Sequence, residues 1–186
     1  MFKVIMEILQ KDKYYHIYNR GNNRENIFLT PENRRYFIQL YSKHLANSVT
    51  TLAFCLLSNH FHFAVRIEKE NQEVTQSFSN FFNAYAKAFN KANNRTGSLF
   101  EKNFKRIEIN SESYLRNLIL YIHFNPQLHF EVNYKTFPFS SYPQIIINNS
   151  NLIDIQEIIR LFDSIENFKL LHETQNSNLE EKYKLE

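Results

Sequence analysis

The fold is decided by one strand-like stretch, Asn59-His60-Phe61-His62-Phe63-Ala64-Val65, whose side chains alternate at the period of a β-strand. His60 and His62 project to one face of this strand, while the two phenylalanines and Val65 project to the other. The apolar face predicts a layer of helices packed against it, and the histidine face predicts a side that stays open to a ligand. Two neighbouring imidazoles on one face can share a divalent metal ion.

A second stretch, Tyr121-Ile122-His123-Phe124-Asn125-Pro126, is typical of the end of a helix. Tyr121 and Asn125 are four residues apart, so they lie on the same helix face. Pro126 disfavours helical geometry in the residue before it, and we therefore expect the helix to end at Asn125. A metal held by two histidines, with a tyrosine hydroxyl and an amide oxygen beside it, is suited to attack by the tyrosine on a phosphodiester.

The other hydrophobic patterns predict an α+β protein. Strands are predicted at residues 14–19, 49–57, 60–67 and 104–109, and helix starts at Thr30-Pro31, at Asn71 or Gln72, and at Asn110-Ser111-Glu112. This order is the split βαβ, ferredoxin-like sandwich, with an antiparallel sheet, helices on one face and an added helix that carries Tyr121. From residue 137 the chain is expected to run over the surface, with one or two short helices at residues 154–171 as a small C-terminal helical extension.

Five short motifs follow one another within residues 14–172. They are Tyr15-His16-Ile17-Tyr18-Asn19-Arg20-Gly21, Leu56-Leu57-Ser58-Asn59-His60-Phe61-His62, Asn94-Arg95-Thr96-Gly97-Ser98-Leu99-Phe100, Tyr121-Ile122-His123-Phe124-Asn125-Pro126 and Phe137-Pro138-Phe139-Ser140-Ser141-Tyr142. In this order they resemble REP-associated tyrosine transposases, which are single-tyrosine HUH (His-hydrophobe-His) transposases. Two positions depart from the family pattern: Ser58 stands where proline is usual, and Ser98 where histidine is frequent.

The resemblance implies a metal-dependent enzyme that cleaves and joins single-stranded DNA, often folded as an imperfect hairpin, through a 5′-phosphotyrosyl intermediate. It implies Tyr121 as the nucleophile, with His60, His62 and Asn125 as ligands of Mg²⁺ or Mn²⁺. Tyr114, on the same helix, is the competing nucleophile. One tyrosine cleaves one strand, so either a monomer or a homodimer fits the expected reaction.

Positive charge is concentrated in residues 1–130, which hold 17 Lys and Arg against 10 Asp and Glu, whereas residues 131–186 hold 5 against 9. We therefore expect a catalytic domain at residues 1–130 that binds a polyanion, and an extension at 131–186 packed on it, with a flexible tail from about residue 174. The basic residues expected to contact DNA phosphates are Arg20, Arg24, Arg66, Arg95, Lys102, Lys105 and Arg106.

Two other functions stay open at this point. One is a different HUH nuclease, such as a replication initiator or relaxase, and the other is a non-catalytic nucleic-acid-binding module, because ferredoxin-like sheets also bind RNA by stacking. Cys55 is the only cysteine, which excludes an intramolecular disulfide and favours the cytoplasm. Neither a signal-peptide core nor an apolar run of membrane-spanning length is present, so no membrane partner is expected.

Overall fold

The computed structural model describes residues 7–130 and 132–176 and has a four-stranded antiparallel sheet with helices, which confirms the predicted α+β class. Its strands are β1 (Tyr14–Arg20), β2 (Val49–Leu56), β3 (His60–Ile67) and β4 (Lys105–Ile109). They lie in the order β2-β3-β1-β4, so β1 and β3 are central and β2 and β4 are the edges. This order is that of the ferredoxin-like sandwich.

The helices are α1 (Pro31–Leu45), α2 (Asn71–Ala92), α3 (Glu112–Phe130), α4 (Tyr142–Ile146), α5 (Ile155–Phe162) and α6 (Ile165–Asn176). Helix α1 begins at the predicted position, where the Thr30 hydroxyl accepts from the Asn33 N–H and the Asn33 side chain accepts from the Thr30 N–H. This reciprocal capping satisfies two backbone donors that the first turn leaves without partners.

Helices α1 and α2 pack against the phenylalanine face of the sheet. Phe61 and Phe63 of β3 are buried there, against Phe37 and Tyr41 of α1, with ring centroids 5.1 Å apart for Phe37–Phe61 and 4.3 Å apart for Tyr41–Phe63. Aromatic pairs at such distances contribute about 0.5–1.5 kcal/mol each beyond the area that they bury. The densely packed aromatic layer fixes β3 and thereby the direction in which its histidines project.

Helix α3 crosses the opposite face of the sheet, where it packs on β2 and β3. The expectation that the histidine face stays open is therefore wrong: His62 is 1% exposed and Asn125 is fully buried. The physical reason is that α3 carries its own apolar residues, including Leu118 and Ile122, which need burial and find it on this face. Access to the histidines remains from the side of His60, which is only partly buried.

The expectation that α3 ends at Asn125 is also wrong, because the helix continues to Phe130 with Pro126 inside it. A proline inside a helix removes one backbone donor and leaves the carbonyl four residues earlier without its usual helical partner. Here Phe124 and Pro126 are buried, and their packing offsets that loss. The additional turn brings His129 to the histidine pair of β3.

The sequence analysis expected the C-terminal segment to run over the surface. That expectation is wrong, because the segment covers the outer edge of β2. The Leu56 N–H donates to the Phe139 carbonyl (2.9 Å), and the Ser141 N–H donates to the Phe54 carbonyl (3.0 Å). Covering an edge strand in this way satisfies backbone groups that could otherwise pair with another chain. Thr174 lies within α6, and the rest of the predicted flexible tail, from residue 177, lies outside the described residues.

None of the helices within residues 7–130 and 132–176 is long and apolar enough to span a membrane.

Candidate active site

Strand β3 presents His60 and His62 side by side, with ring centroids 5.1 Å apart. The Nδ1 of His60 lies 2.6 Å from the Asn59 Oδ1. Because a carbonyl oxygen only accepts, this Nδ1 carries the hydrogen and the Nε2 of His60 keeps its lone pair. The Nδ1 of His62 lies 2.9 Å from the Nε2 of His16, on the neighbouring strand β1.

Helix α3 brings Tyr121 and Asn125 to the same place. The Tyr121 ring stands edge-on to the His62 ring, at 5.6 Å between centroids. The Asn125 amide donates to the Tyr121 carbonyl (2.8 Å), which fixes the orientation of the Asn125 side chain. Tyr114 is 39% exposed in the first turns of α3, about 10 Å along the helix from Tyr121. The structure therefore places Tyr121, and not Tyr114, beside the histidines.

Three buried polar atoms lie together at this point: His60 Nε2, His62 Nε2 and Asn125 Oδ1, called the three-atom cluster below. None of them has a hydrogen-bond partner among the residues that the structure describes. A buried polar atom without a partner costs about 1–3 kcal/mol. Three of them in one place call for a physical explanation, such as an ion or a bound ligand.

Burial keeps His16, His60 and His62 neutral. Burial lowers the pKa of His16 to about 3. The pKa of His60 is lowered to about 4, mainly by burial and further by His129, while a polar contact with Asn125 acts in the opposite direction. Burial also lowers the pKa of His62 well below its ordinary value, with His16, His60 and His129 acting in the same direction. The neutral imidazole is the form that ligates metals, so no proton needs to leave these rings near pH 7.

The ligand atoms of the three-atom cluster, two imidazole nitrogens and one amide oxygen, suit a divalent cation. Within the described parts of the chain, no three His, Cys, Asp or Glu side chains are grouped so that they could hold a metal. A site made here therefore depends on the amide oxygen of Asn125 as its third protein ligand. Imidazole nitrogens with an amide oxygen suit Mn²⁺, and also Mg²⁺ when water and phosphate oxygens complete the shell.

A cleft of about 580 Å³ opens beside the partly exposed His60. Three of the predicted phosphate contacts line it: Arg20, Arg24 and Lys105. Arg20 is the last residue of β1, and Arg24 lies in the loop that follows. The Gly21 N–H of this loop donates to the Asn59 carbonyl (2.8 Å). A Cβ at Gly21 would lie 1.9 Å from the Glu25 carbonyl oxygen, so only glycine fits this loop as it stands.

Two further predicted contacts, Lys102 and Arg106, line a neighbouring cleft of about 560 Å³ between α2 and the segment that leads into β4. The two clefts share Asn19 and Glu101 in their linings, so they adjoin. Glu101 is also the ion-pair partner of Arg20. Cations of both clefts thus border one continuous surface.

The remaining two predicted contacts lie elsewhere and already have carboxylate partners. Arg95 binds Glu25 (2.7 Å) and is partly buried. Arg66 binds Glu68 (2.8 Å) near the far end of β3, roughly 20 Å from His60 along the strand. The structure does not bring either side chain into the cleft beside the histidines.

The fold has a counterpart among solved structures. The chain is similar to the structure of a REP-associated tyrosine transposase bound to a REP hairpin, with a TM-score of 0.60 and 19% sequence identity. The match covers 83% of this chain and 90% of that chain. No protein-family model and no curated protein sequence matches. At this identity the likeness shows a shared fold, and it agrees with the motif order quoted above.

Sequence reasoning missed two histidines that the structure adds to the site. His16 reaches His62 because its Cα pairs with Ala64 of β3, which makes the two histidines diagonal neighbours on adjacent strands. His129 lies 5.1 Å from His60, measured between ring centroids. The alternation of β1 shows that His16 and Tyr18 share a face, but only the register between strands shows what they meet.

Proposed function

We propose that this chain is a transposase-like enzyme that cleaves and rejoins single-stranded DNA through a covalent bond to Tyr121. One observation carries the proposal: the three-atom cluster of His60, His62 and Asn125 lies beside the Tyr121 ring, which is 5.6 Å from that of His62. A sheet that only binds RNA by stacking needs no such group. The motif order and the fold shared with a hairpin-bound transposase support the same conclusion.

In this proposal His60 and His62, through Nε2, and Asn125, through Oδ1, hold Mg²⁺ or Mn²⁺. When bound, such an ion withdraws charge from the non-bridging phosphate oxygens and stabilises the departing oxygen. Arg20, Arg24 and Lys105 line the adjoining cleft and hold the backbone on either side of the scissile phosphate by charge. The expected substrate is single-stranded DNA that folds into a hairpin.

The tyrosine oxygen attacks the phosphorus, so that a bond forms between Tyr121 and the phosphate while the P–O3′ bond breaks. The phenolic proton passes to water, and the departing 3′ oxygen takes up a proton. The product is a 5′-phosphotyrosyl bond and a free 3′-OH. This bond conserves the free energy of the phosphodiester, so a second 3′-OH can displace Tyr121 and join the strands without ATP.

The test is a cleavage assay on a single-stranded oligonucleotide that contains a hairpin, with Mn²⁺ and with chelator. We expect wild type to yield both a cleaved strand and a covalent protein–DNA adduct, which denaturing gels detect. Tyr121→Phe removes one oxygen, so DNA binding should persist while cleavage and adduct vanish. Tyr114→Phe is the matched control and should behave as wild type. His62→Ala should abolish the metal-dependent cleavage.

Two results would contradict the proposal. An adduct that persists in Tyr121→Phe and disappears in Tyr114→Phe would show that the other tyrosine is the nucleophile. Metal-dependent cleavage by wild type without any adduct would show that water attacks the phosphate, which makes the protein a nuclease and not a strand transferase.

A further inference from the structure

The buried pair of His16 and His62 has one hydrogen bond to share, and its direction decides what His62 can do. His16 is 5% exposed and His62 is 1% exposed, and the Nε2 of His16 lies 2.9 Å from the Nδ1 of His62. Two neutral imidazoles place a single hydrogen between these two nitrogens. Either His16 donates to His62, or His62 donates to His16.

The two arrangements leave opposite groups on the far side of the His62 ring. When His16 donates, the single N–H hydrogen of His62 sits on its Nε2, and that N–H has no acceptor among the described residues. When His62 donates from Nδ1, its Nε2 keeps a bare lone pair in the three-atom cluster. Only the second arrangement leaves a nitrogen that can ligate a cation.

We propose that His16 is a positioning residue that accepts the Nδ1 hydrogen of His62 and so presents the His62 Nε2 lone pair to the metal ion. The inference rests on the function proposed above. Metal-ligating histidines generally donate their second ring N–H to a fixed acceptor, which sets both the tautomer and the ring orientation. Asn59 Oδ1 does this for His60, at 2.6 Å, and His16 occupies the equivalent place behind His62.

The surroundings of His16 suit an acceptor that must stay fixed. Tyr18 pairs directly across from His62 and stacks on both rings, with centroids 4.6 Å from His16 and 5.7 Å from His62. Ala64, the residue opposite His16 on β3, is small and leaves room for the imidazole. The His16 ring is therefore held by β1 and by stacking on Tyr18, and it also meets the Tyr121 ring of α3 edge-on, at 6.4 Å between centroids.

The first test needs no metal and no activity. Long-range ¹H–¹⁵N NMR spectra of the wild-type protein without metal distinguish the two tautomers of each neutral histidine. We expect His62 to carry its hydrogen on Nδ1. A His62 that carries its hydrogen on Nε2 overturns the inference, whatever the protein does with DNA.

The second test measures Mn²⁺ affinity by calorimetry. His16→Leu removes the acceptor, and we expect the dissociation constant to rise about 10–100-fold. His16→Gln supplies a side-chain carbonyl at a similar distance and should recover most of the affinity. His172→Leu removes another buried histidine with an imidazole partner, outside the site, so it controls for a general loss of stability. It should leave the affinity unchanged.

The outcomes separate this inference from the proposed function. If His62→Ala weakens Mn²⁺ binding and His16→Leu does not, the role of His16 is overturned while the proposed metal site is retained. If His62→Ala binds Mn²⁺ as tightly as wild type does, the proposed metal site is overturned, and the role of His16 is overturned with it. Should His16→Leu fail to fold, His16→Gln and the wild-type tautomer still decide the question.

Discussion

We expect replacement of His172 by glutamine to make the unfolding of this chain less sensitive to acid. His172 ends a buried chain of hydrogen bonds: its Nδ1 lies 2.7 Å from the Phe168 carbonyl, and its Nε2 lies 2.8 Å from His123. The far side of His123 lies 2.7 Å from the Ser141 hydroxyl. Burial lowers the pKa of both rings and keeps them neutral. Since the Phe168 carbonyl only accepts, the His172 Nδ1 donates to it and the His123 Nδ1 donates to the His172 Nε2.

The magnitude follows from the difference in proton binding between the folded and unfolded chain. Burial lowers the pKa of His172 to about 3, whereas a histidine in an unfolded chain titrates near 6.5. Between these values the unfolded chain binds a proton that the folded chain does not, so a fall in pH favours unfolding. Integrated from pH 7 to pH 5, this costs about 2 kcal/mol of stability.

His172→Gln loses hydrogen bonds but also loses this acid sensitivity. At pH 7 we expect wild type to be the more stable protein, and at pH 5 the gap should be smaller by about 2 kcal/mol. The buried histidines that do not contact His172 are present in both proteins, so their contributions cancel to first order. His123 is the exception: burial lowers its pKa and His172 lowers it further, so the replacement removes part of that shift and acts in the same direction. The chain contains no tryptophan, so urea unfolding is best followed by circular dichroism.

A second replacement controls for the lost contacts. His172→Phe should differ from His172→Gln in its stability at pH 7, because it packs differently, but should show the same change of the gap with pH. A gap that stays constant or widens between pH 7 and pH 5 would refute the reasoning.

Two further predictions concern the cleft and its loop. Lys105→Ala should weaken binding of single-stranded DNA and reduce the slope of log K against log salt by about 0.7, while Arg66→Ala, far from the cleft, should leave the slope unchanged; a slope that responds to Arg66 instead would move the interface. Gly21→Ala should lower the free energy of unfolding by about 1–3 kcal/mol in urea titrations, because the new Cβ meets the Glu25 carbonyl; unchanged stability would contradict the tight fit.

The elements that the sequence predicted well are those whose signals are local. The alternation around His60 and His62 identified β3, and the Thr30-Pro31 pair identified the start of α1, because neighbouring residues alone determine these patterns. The four-residue spacing of Tyr121 and Asn125 likewise determines that they share one face of α3. Within this part of the site, spacing along one element was sufficient information.

The features that the sequence could not reveal depend on contacts between distant parts of the chain. Pro126 disfavours a helix locally, but tertiary packing keeps α3 intact through it. His16 needs the register of β1 on β3 before it can be assigned to His62. Arg66 shares a face of β3 with the histidines, yet distance along the strand removes it from their cleft. In each case the deciding interaction is absent from the residues nearby in sequence.

The central position of β1 determines when the site can exist during synthesis. Strands β2 and β3 are joined by a short turn and can pair early, whereas β1 must wait for partners that follow it by dozens of residues. Such non-local pairing makes folding slow relative to helical proteins of the same size. Until α3 has emerged from the ribosome, His60 and His62 of the nascent chain lack Tyr121 and Asn125 beside them. The fold and the candidate site are therefore both completed only late in synthesis.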